Sequence, residues 1–251
     1  MKFLIANWKM APETPKQAIS LAKATSTIAR TSKKHVQMIV CASYVHLSTL
    51  RNTTKTLALG AQDVASTTTI ASTGKVSAPM LKGLGVTYCI VGHSETRANG
   101  DTNEVVKEKI NRLLESKLTP ILCVGEKERD EHGWYLSTIK DQIESAFFGI
   151  AKPSLKRFVI AYEPVWAIGA QATREATPTE CQEMILFIRK IIADLYDEKV
   201  AKTIPVLYGG SVGEENARAF VTDGDASGLL VGRVSLDPKR FAKIAQRIVQ
   251  Q

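Results

Sequence analysis

Short, continuous apolar runs recur roughly every thirty residues along the chain, and stretches with a helical apolar repeat separate them. The runs cover residues 3–6, 37–42, 57–61, 88–91, 120–124, 158–162, 204–208 and 228–231. They do not alternate apolar with polar, so each reads as a parallel strand buried on both faces. The periodic stretches predict helices over 16–31, 46–53, 103–116, 135–148, 179–197, 214–221 and 239–249, with a short helix at 80–84. Thr177-Pro178-Thr179-Glu180 and Asp237-Pro238 are helix start signals, because proline suits the first helical position and the residue before it can cap. Eight strand–helix units with no linker between them predict an α/β fold: a single closed (β/α)8 barrel spanning residues 1–251 as one catalytic domain. A doubly wound open sheet is the alternative, but no G-x-G-x-x-G follows the first run.

A barrel carries its chemistry just beyond the carboxyl ends of its strands. At those places stand Asn7 and Lys9, Gln62, the trio His93, Ser94 and Glu95, then Glu126, Glu163, Gly209-Gly210-Ser211 and Gly232. Glu163 closes a buried run and precedes Pro164, which ends regular pairing because it has no N–H. A carboxylate there either pairs with a structural cation or meets a ligand, and the apolar Trp166 and Ile168 beside it suit a water-excluding loop. The glycine clusters after the last two strands serve either tight turns or a phosphate approached closely by backbone N–H groups. Lys9 is either a surface lysine or a cation placed over that phosphate. His93 precedes a helical turn, whose N-terminus disfavours imidazolium, so a neutral ring able to donate to a carbonyl is the functional reading.

Composition narrows the class. Hydrophobic residues make up 44% and charged residues 23%, ordinary for a globular protein with a real core. No run reaches the ~18 apolar residues of a membrane span, and the chain starts on a strand rather than a signal-peptide core. Cys41, Cys89, Cys123 and Cys181 have no zinc or redox spacing and are expected as buried free thiols. A cytoplasmic location with no membrane partner follows. The net charge of +8 is scattered over helical faces without an aromatic–basic motif. That disfavours nucleic acid and fits a small anionic substrate.

The motifs Asn7-Trp8-Lys9-Met10, Val91-Gly92-His93-Ser94-Glu95, Cys123-Val124-Gly125-Glu126, Tyr162-Glu163-Pro164-Val165-Trp166-Ala167-Ile168-Gly169 and Tyr208-Gly209-Gly210-Ser211-Val212 stand in this order. Together the chain resembles the triosephosphate isomerase family over essentially its whole length. The resemblance implies interconversion of dihydroxyacetone phosphate and D-glyceraldehyde 3-phosphate, without metal or cofactor. It makes Glu163 the base and His93 the electrophile, with Lys9 and Asn7 stabilising developing charge. Gly169, Ser211, Gly232 and Arg233 would bind the phosphate, residues 164–172 would form a lid, and Ser94, Glu95 and Cys123 would support the site. It also implies a homodimer in which Thr73 and Lys75 reach the neighbour. The departures from the family pattern lie at Ala170-Gln171-Ala172 in the lid, at Arg233 where glycine is usual, at Thr96, at Ala98-Asn99-Gly100-Asp101 and at Lys75. They bear on the lid, phosphate affinity and subunit packing rather than on the reaction. With the usual ion pair replaced by Lys75 and Thr96, Lys75 is expected to find Glu95 or Asp101. A non-catalytic barrel that binds phosphorylated ligands, and a barrel enzyme acting on another sugar or indole phosphate, are the competing readings.

Overall fold

The computed structural model describes residues 1–53, 57–169, 172 and 174–250. Eight parallel strands form a closed barrel in sequence order: β1 Lys2–Asn7, β2 Val36–Ala42, β3 Ala58–Ala61, β4 Tyr88–Val91, β5 Thr119–Val124, β6 Val159–Tyr162, β7 Val206–Tyr208 and β8 Gly228–Val231. Closure is made by β1 on β8, where Phe3 pairs with Gly228 and Ala6 with Val231. Gly228 has φ of 157°, and a Cβ there would sit 2.0 Å from the Phe3 carbonyl oxygen, so only glycine lets the seam close.

The helices are α1 Pro15–Ser32, α2 Tyr44–Thr53, α3 Ala78–Gly83, α4 Ser94–Ala98, α5 Asn103–Glu115, α6 Trp134–Phe147, α7 Pro178–Leu195, α8 Glu198–Thr203, α9 Ala217–Thr222 and α10 Pro238–Arg247. Both expected start signals act as caps. Thr177 forms a reciprocal capping box with Glu180, and the Asp237 carboxylate accepts from the Lys239 and Arg240 N–H groups. Among the described residues no helix is long and apolar enough to cross a membrane.

The strands are buried on both faces, as continuous apolar runs demand. Ile5, Ile39, Ile90, Ile121, Val159 and Leu207 pack inside the barrel. Their neighbours Leu4, Val40, Val91, Leu122, Ile160 and Val206 pack outward beneath the helices. This period of two aims the site. Ile5 faces inward, so Asn7 does too; Val159 and Ala161 face inward, so Glu163 continues their row into the mouth.

Several bounds differ from expectation: α9 starts at Ala217 rather than 214, α2 at Tyr44 rather than 46 and α3 at Ala78 rather than 80, and α10 ends at Arg247 rather than 249. The helix expected over 179–197 stops at Leu195, and the strand expected from 204 starts at Val206, because α8 lies between them. Asp197 is extended (φ −172°) and its Oδ1 accepts from the Val200 N–H at 2.8 Å, which starts a new helix in the stretch 198–203 that the apolar spacing leaves unassigned.

Candidate active site

The mouth of the barrel holds a cavity of about 410 Å³ whose wall includes Asn7, Lys9, His93 and Glu163, and also Gly169, Ser211, Gly232 and Arg233. The structure therefore brings the four expected catalytic side chains and the four expected phosphate positions to one cleft.

Lys9 sits in the left-handed region with φ of 53°, uncommon for a side chain of its kind. Its backbone is pinned on every side. Its N–H donates to Asn7 Oδ1 at 3.0 Å. Its carbonyl accepts from Ser43 Oγ at 3.0 Å and from Gln62 Nε2 at 2.9 Å. Such a conformation costs ~1–3 kcal/mol and persists only where neighbours over-determine it. The ammonium pairs with Glu95, and the Lys9 side chain runs over Gly232, where a Cβ would lie 3.3 Å from Cε. Any side chain at 232 would push the lysine aside.

His93 is the N-cap of α4, and its Nδ1 accepts from the Glu95 N–H at 3.1 Å. A ring nitrogen that accepts carries no proton, so the ring's proton lies on Nε2, on the side of the cleft. Nε2 stands 3.2 Å from Glu163 Oε1. Glu163 Oε2 accepts from the Ser94 N–H at 3.0 Å. The carboxylate is 2% exposed and His93 8% exposed, so the pair works in a desolvated pocket where charge–dipole contacts are strong. Cys123 lies beneath them. Burial first, then the Glu163 charge, raises its thiol well above the usual range, which leaves it a neutral packing partner.

Beyond Glu163 the chain makes a 3-10 turn, Val165–Ala167, and reaches Gly169 with φ of 77°. The Ser211 hydroxyl donates to the Ala167 carbonyl at 2.8 Å, tying the first glycine cluster to this turn. Ala170 and Gln171, where the expected lid departs from the family pattern, lie outside the described residues. Gly232 opens a second 3-10 turn, Arg233–Leu236. Arg233 has ordinary backbone geometry, and its exposed side chain borders the cleft.

Thr73 and Lys75 are not part of the cleft. They lie on an exposed loop closed at its base by the Ala65 N–H to Val76 carbonyl bond of 2.8 Å. The carboxylates expected for Lys75 are taken by nearer cations, which corrects that expectation: Glu95 pairs with Lys9, and Asp101 with the buried Lys109 at 2.6 Å.

Sequence reasoning placed Glu126 at a strand end without giving it a role. Its Oε1 accepts from Tyr162 Oη at 2.8 Å and Trp166 Nε1 at 2.7 Å, joining β5, β6 and the turn after Glu163. Burial raises its carboxyl above the usual value against the pull of those two donors. Gln142 of α6 was missed altogether. It clamps Gly125 through both backbone groups, at 2.9 and 3.0 Å. A glutamine on a helix face carries no signal of such a contact.

A closed parallel barrel with a polar cleft at the carboxyl ends of its strands defines a (β/α)8 barrel enzyme. The family model described as triosephosphate isomerase matches residues 2–248. Similar curated proteins include the triosephosphate isomerases of Cytophaga hutchinsonii, 36% identical over 98% of both chains, and of Caldanaerobacter subterraneus, 38% identical over 96% of this chain and 97% of that one. That of Endomicrobium trichonymphae is 39% identical over 97% of each. The chain belongs to the triosephosphate isomerase family and is an isomerase.

Proposed function

We propose that the protein interconverts dihydroxyacetone phosphate and D-glyceraldehyde 3-phosphate through an enediolate, with Glu163 as base and His93 as electrophile. The observation that carries this reading is the buried Glu163–His93 pair, 3.2 Å apart, facing the cleft that Lys9 and Gly232 also line. A Glu base with a neutral His is the pattern known for triosephosphate isomerases. A substrate lying between the two groups gives Glu163 the proton on the carbon beside the carbonyl. The Nε2–H of His93 stabilises the oxygen on which charge develops, and passes a proton between the two oxygens of the enediolate. Lys9 and Asn7 offset the negative charge, in a site where fixed donors need no reorganisation. Glu163 then returns its proton to the neighbouring carbon, and the aldehyde forms. The backbone N–H groups at Gly169, Ser211, Gly232 and Arg233 hold the phosphate. The segment 164–172 acts as the lid that keeps the intermediate dry.

Residues 1–251 act as one catalytic domain, in the cytoplasm, where the four buried cysteines stay as thiols. The working form is a homodimer. Met10, Val45 and Ile70, beyond the ends of three adjacent strands, are 95%, 78% and 101% exposed, an apolar set that a second copy would cover. Sedimentation across a concentration series tests this: a fully active monomer at micromolar concentration contradicts it. The reaction itself is tested by a coupled assay on glyceraldehyde 3-phosphate, with phosphate-free glyceraldehyde alongside. Turnover that depends strongly on the phosphate supports the reading. Phosphate binding without turnover supports the non-catalytic barrel instead.

A further inference from the structure

Residues 14–62 and 226–251 hold twelve of the 33 Lys and Arg residues but only one, Asp237, of the 25 Asp and Glu residues. Elsewhere in the chain acidic residues outnumber basic ones, so the whole net charge of +8 arises in these two segments. They lie near opposite ends of the sequence, and closure of the barrel joins them. β1 pairs with β8, and α1 and α10, which follow those two strands, pack side by side. Neither helix contains an acidic residue. On α1, exposed Lys16, Lys23 and Arg30 recur every two turns and form a stripe ~21 Å long. On α10, Lys239, Arg240, Lys243 and Arg247 are exposed. Of these seven cations only Lys243 has an ion pair among the described residues, to Glu214 at 3.1 Å, and the Asp237 carboxylate is taken up in capping α10. Packed helices lie ~10 Å apart, so the cations cover an area rather than a line. Like charges gathered in this way repel one another, and an adjoining polyanion relieves the repulsion.

The chemistry of this face selects the polyanion. Among the described residues, neither helix exposes a large apolar side chain, so the face lacks the aromatic and aliphatic anchors that hold protein partners. The one aromatic residue on the two helices, Phe241, is buried, which leaves no ring on which a nucleic-acid base could stack. A bilayer rich in anionic lipid needs neither: a plane of negative headgroups meets cations spread over an area, without a pocket and without insertion. We propose that the α1–α10 face docks the protein on the anionic surface of a lipid bilayer through charge alone. That no helix is long and apolar enough to span a membrane bears on crossing, not on contact of this kind. With α1 and α10 lying along the surface, the barrel mouth opens to the side, and the cleft stays accessible to substrate.

The test mixes the full chain with vesicles of phosphatidylserine and phosphatidylcholine and reads the bound fraction by sedimentation. Binding is expected only where phosphatidylserine is present, and is lost at ~1 M salt, where the screening length shrinks to about 3 Å. Lys23→Glu with Arg30→Glu reverses two charges on α1, and Lys239→Glu with Arg247→Glu reverses two on α10. Each pair is expected to weaken binding about tenfold or more, with kcat within about twofold of the parent as the check on folding. Lys117→Glu with Lys140→Glu changes the net charge equally beside β5, across the barrel from β1, and should leave binding within about threefold. A parent that does not bind the anionic vesicles overturns the proposal. So does a β5-side pair that weakens binding as much as the others, because net charge and not this face is then responsible. Tighter binding of a single-stranded RNA or an acidic peptide, abolished by the same substitutions, gives the face to that partner and overturns the lipid surface.

Discussion

Adding one methyl group at Gly125 measures how tightly the barrel holds the base. The Cβ of Gly125→Ala would stand 1.8 Å from the Glu163 carbonyl oxygen and 2.8 Å from its carbon. Real contacts of this kind begin near 3.0 Å, so the two backbones must part by about 1 Å. Neither is free to move. Gly125 is clamped on both sides by Gln142, at 2.9 and 3.0 Å. Between the ends of β5 and β6, the Glu163 N–H donates to the Val124 carbonyl at 2.8 Å and the Val165 N–H to the Glu126 carbonyl at 3.0 Å. The strain therefore falls on the residue that carries the carboxylate. A misplacement of ~1 Å costs on the order of 10²-fold in rate, roughly 2.7 kcal/mol of transition-state stabilisation. Overpacking of this kind costs a further ~1–3 kcal/mol of stability. The coupled assay gives kcat, and a thermal melt gives the stability change. Gly83→Ala is the control, because among the described residues nothing beyond its own helix and chain neighbours lies within 4 Å of an added Cβ, and its φ is ordinary. A Gly125→Ala variant with kcat within about threefold of the parent would refute the claim that Glu163 is held to sub-ångström tolerance.

The other predictions concern stability. Lys109 is 5% exposed with Nζ 2.7 Å from Asp63 and 2.6 Å from Asp101, so Lys109→Met leaves two carboxylates without their cation. A loss of ~3–5 kcal/mol in denaturant unfolding is expected, and a loss below ~1 kcal/mol contradicts the pairing. Glu180 is held down to about 2, chiefly by its hydrogen bond from Arg174. A depressed carboxyl stabilises the fold above its ordinary value of 4.5, and that contribution is lost as pH falls from there toward 2. Glu180→Gln should thus cost on the order of 1 kcal/mol at neutral pH, after solvent screening, with the gap to the parent closing through that window. A gap that stays constant with pH contradicts the ion-pair account.

Where both faces of an element are buried, the sequence was legible almost to the residue: β4 and β8 have the bounds their apolar runs predict. The short helix α8 was not, because six residues are too few to show an apolar repeat and its start depends on one side chain, Asp197, turning to cap. The site divides in the same way. Asn7, His93 and Glu163 could be found because strand ends point into the mouth and motifs mark them. The left-handed backbone of Lys9 could not, since lysine carries no preference for it and the bonds from Ser43 and Gln62 come from distant parts of the chain. Lys75 was assigned a partner by nearness in sequence, whereas Asp101 faces Lys109 across a helix turn and Glu95 faces Lys9 across the barrel.

The central claim is that one carboxylate, Glu163, moves the substrate's proton. Its most direct test is kcat for Glu163→Gln beside the parent, with inhibition by inorganic phosphate measured on both. The amide keeps the size of the side chain and cannot act as a base. A fall in kcat of at least ~10²–10⁴-fold is expected. The phosphate inhibition constant should stay within about threefold, because the phosphate loops are untouched. A variant that retains near-normal kcat would contradict the account.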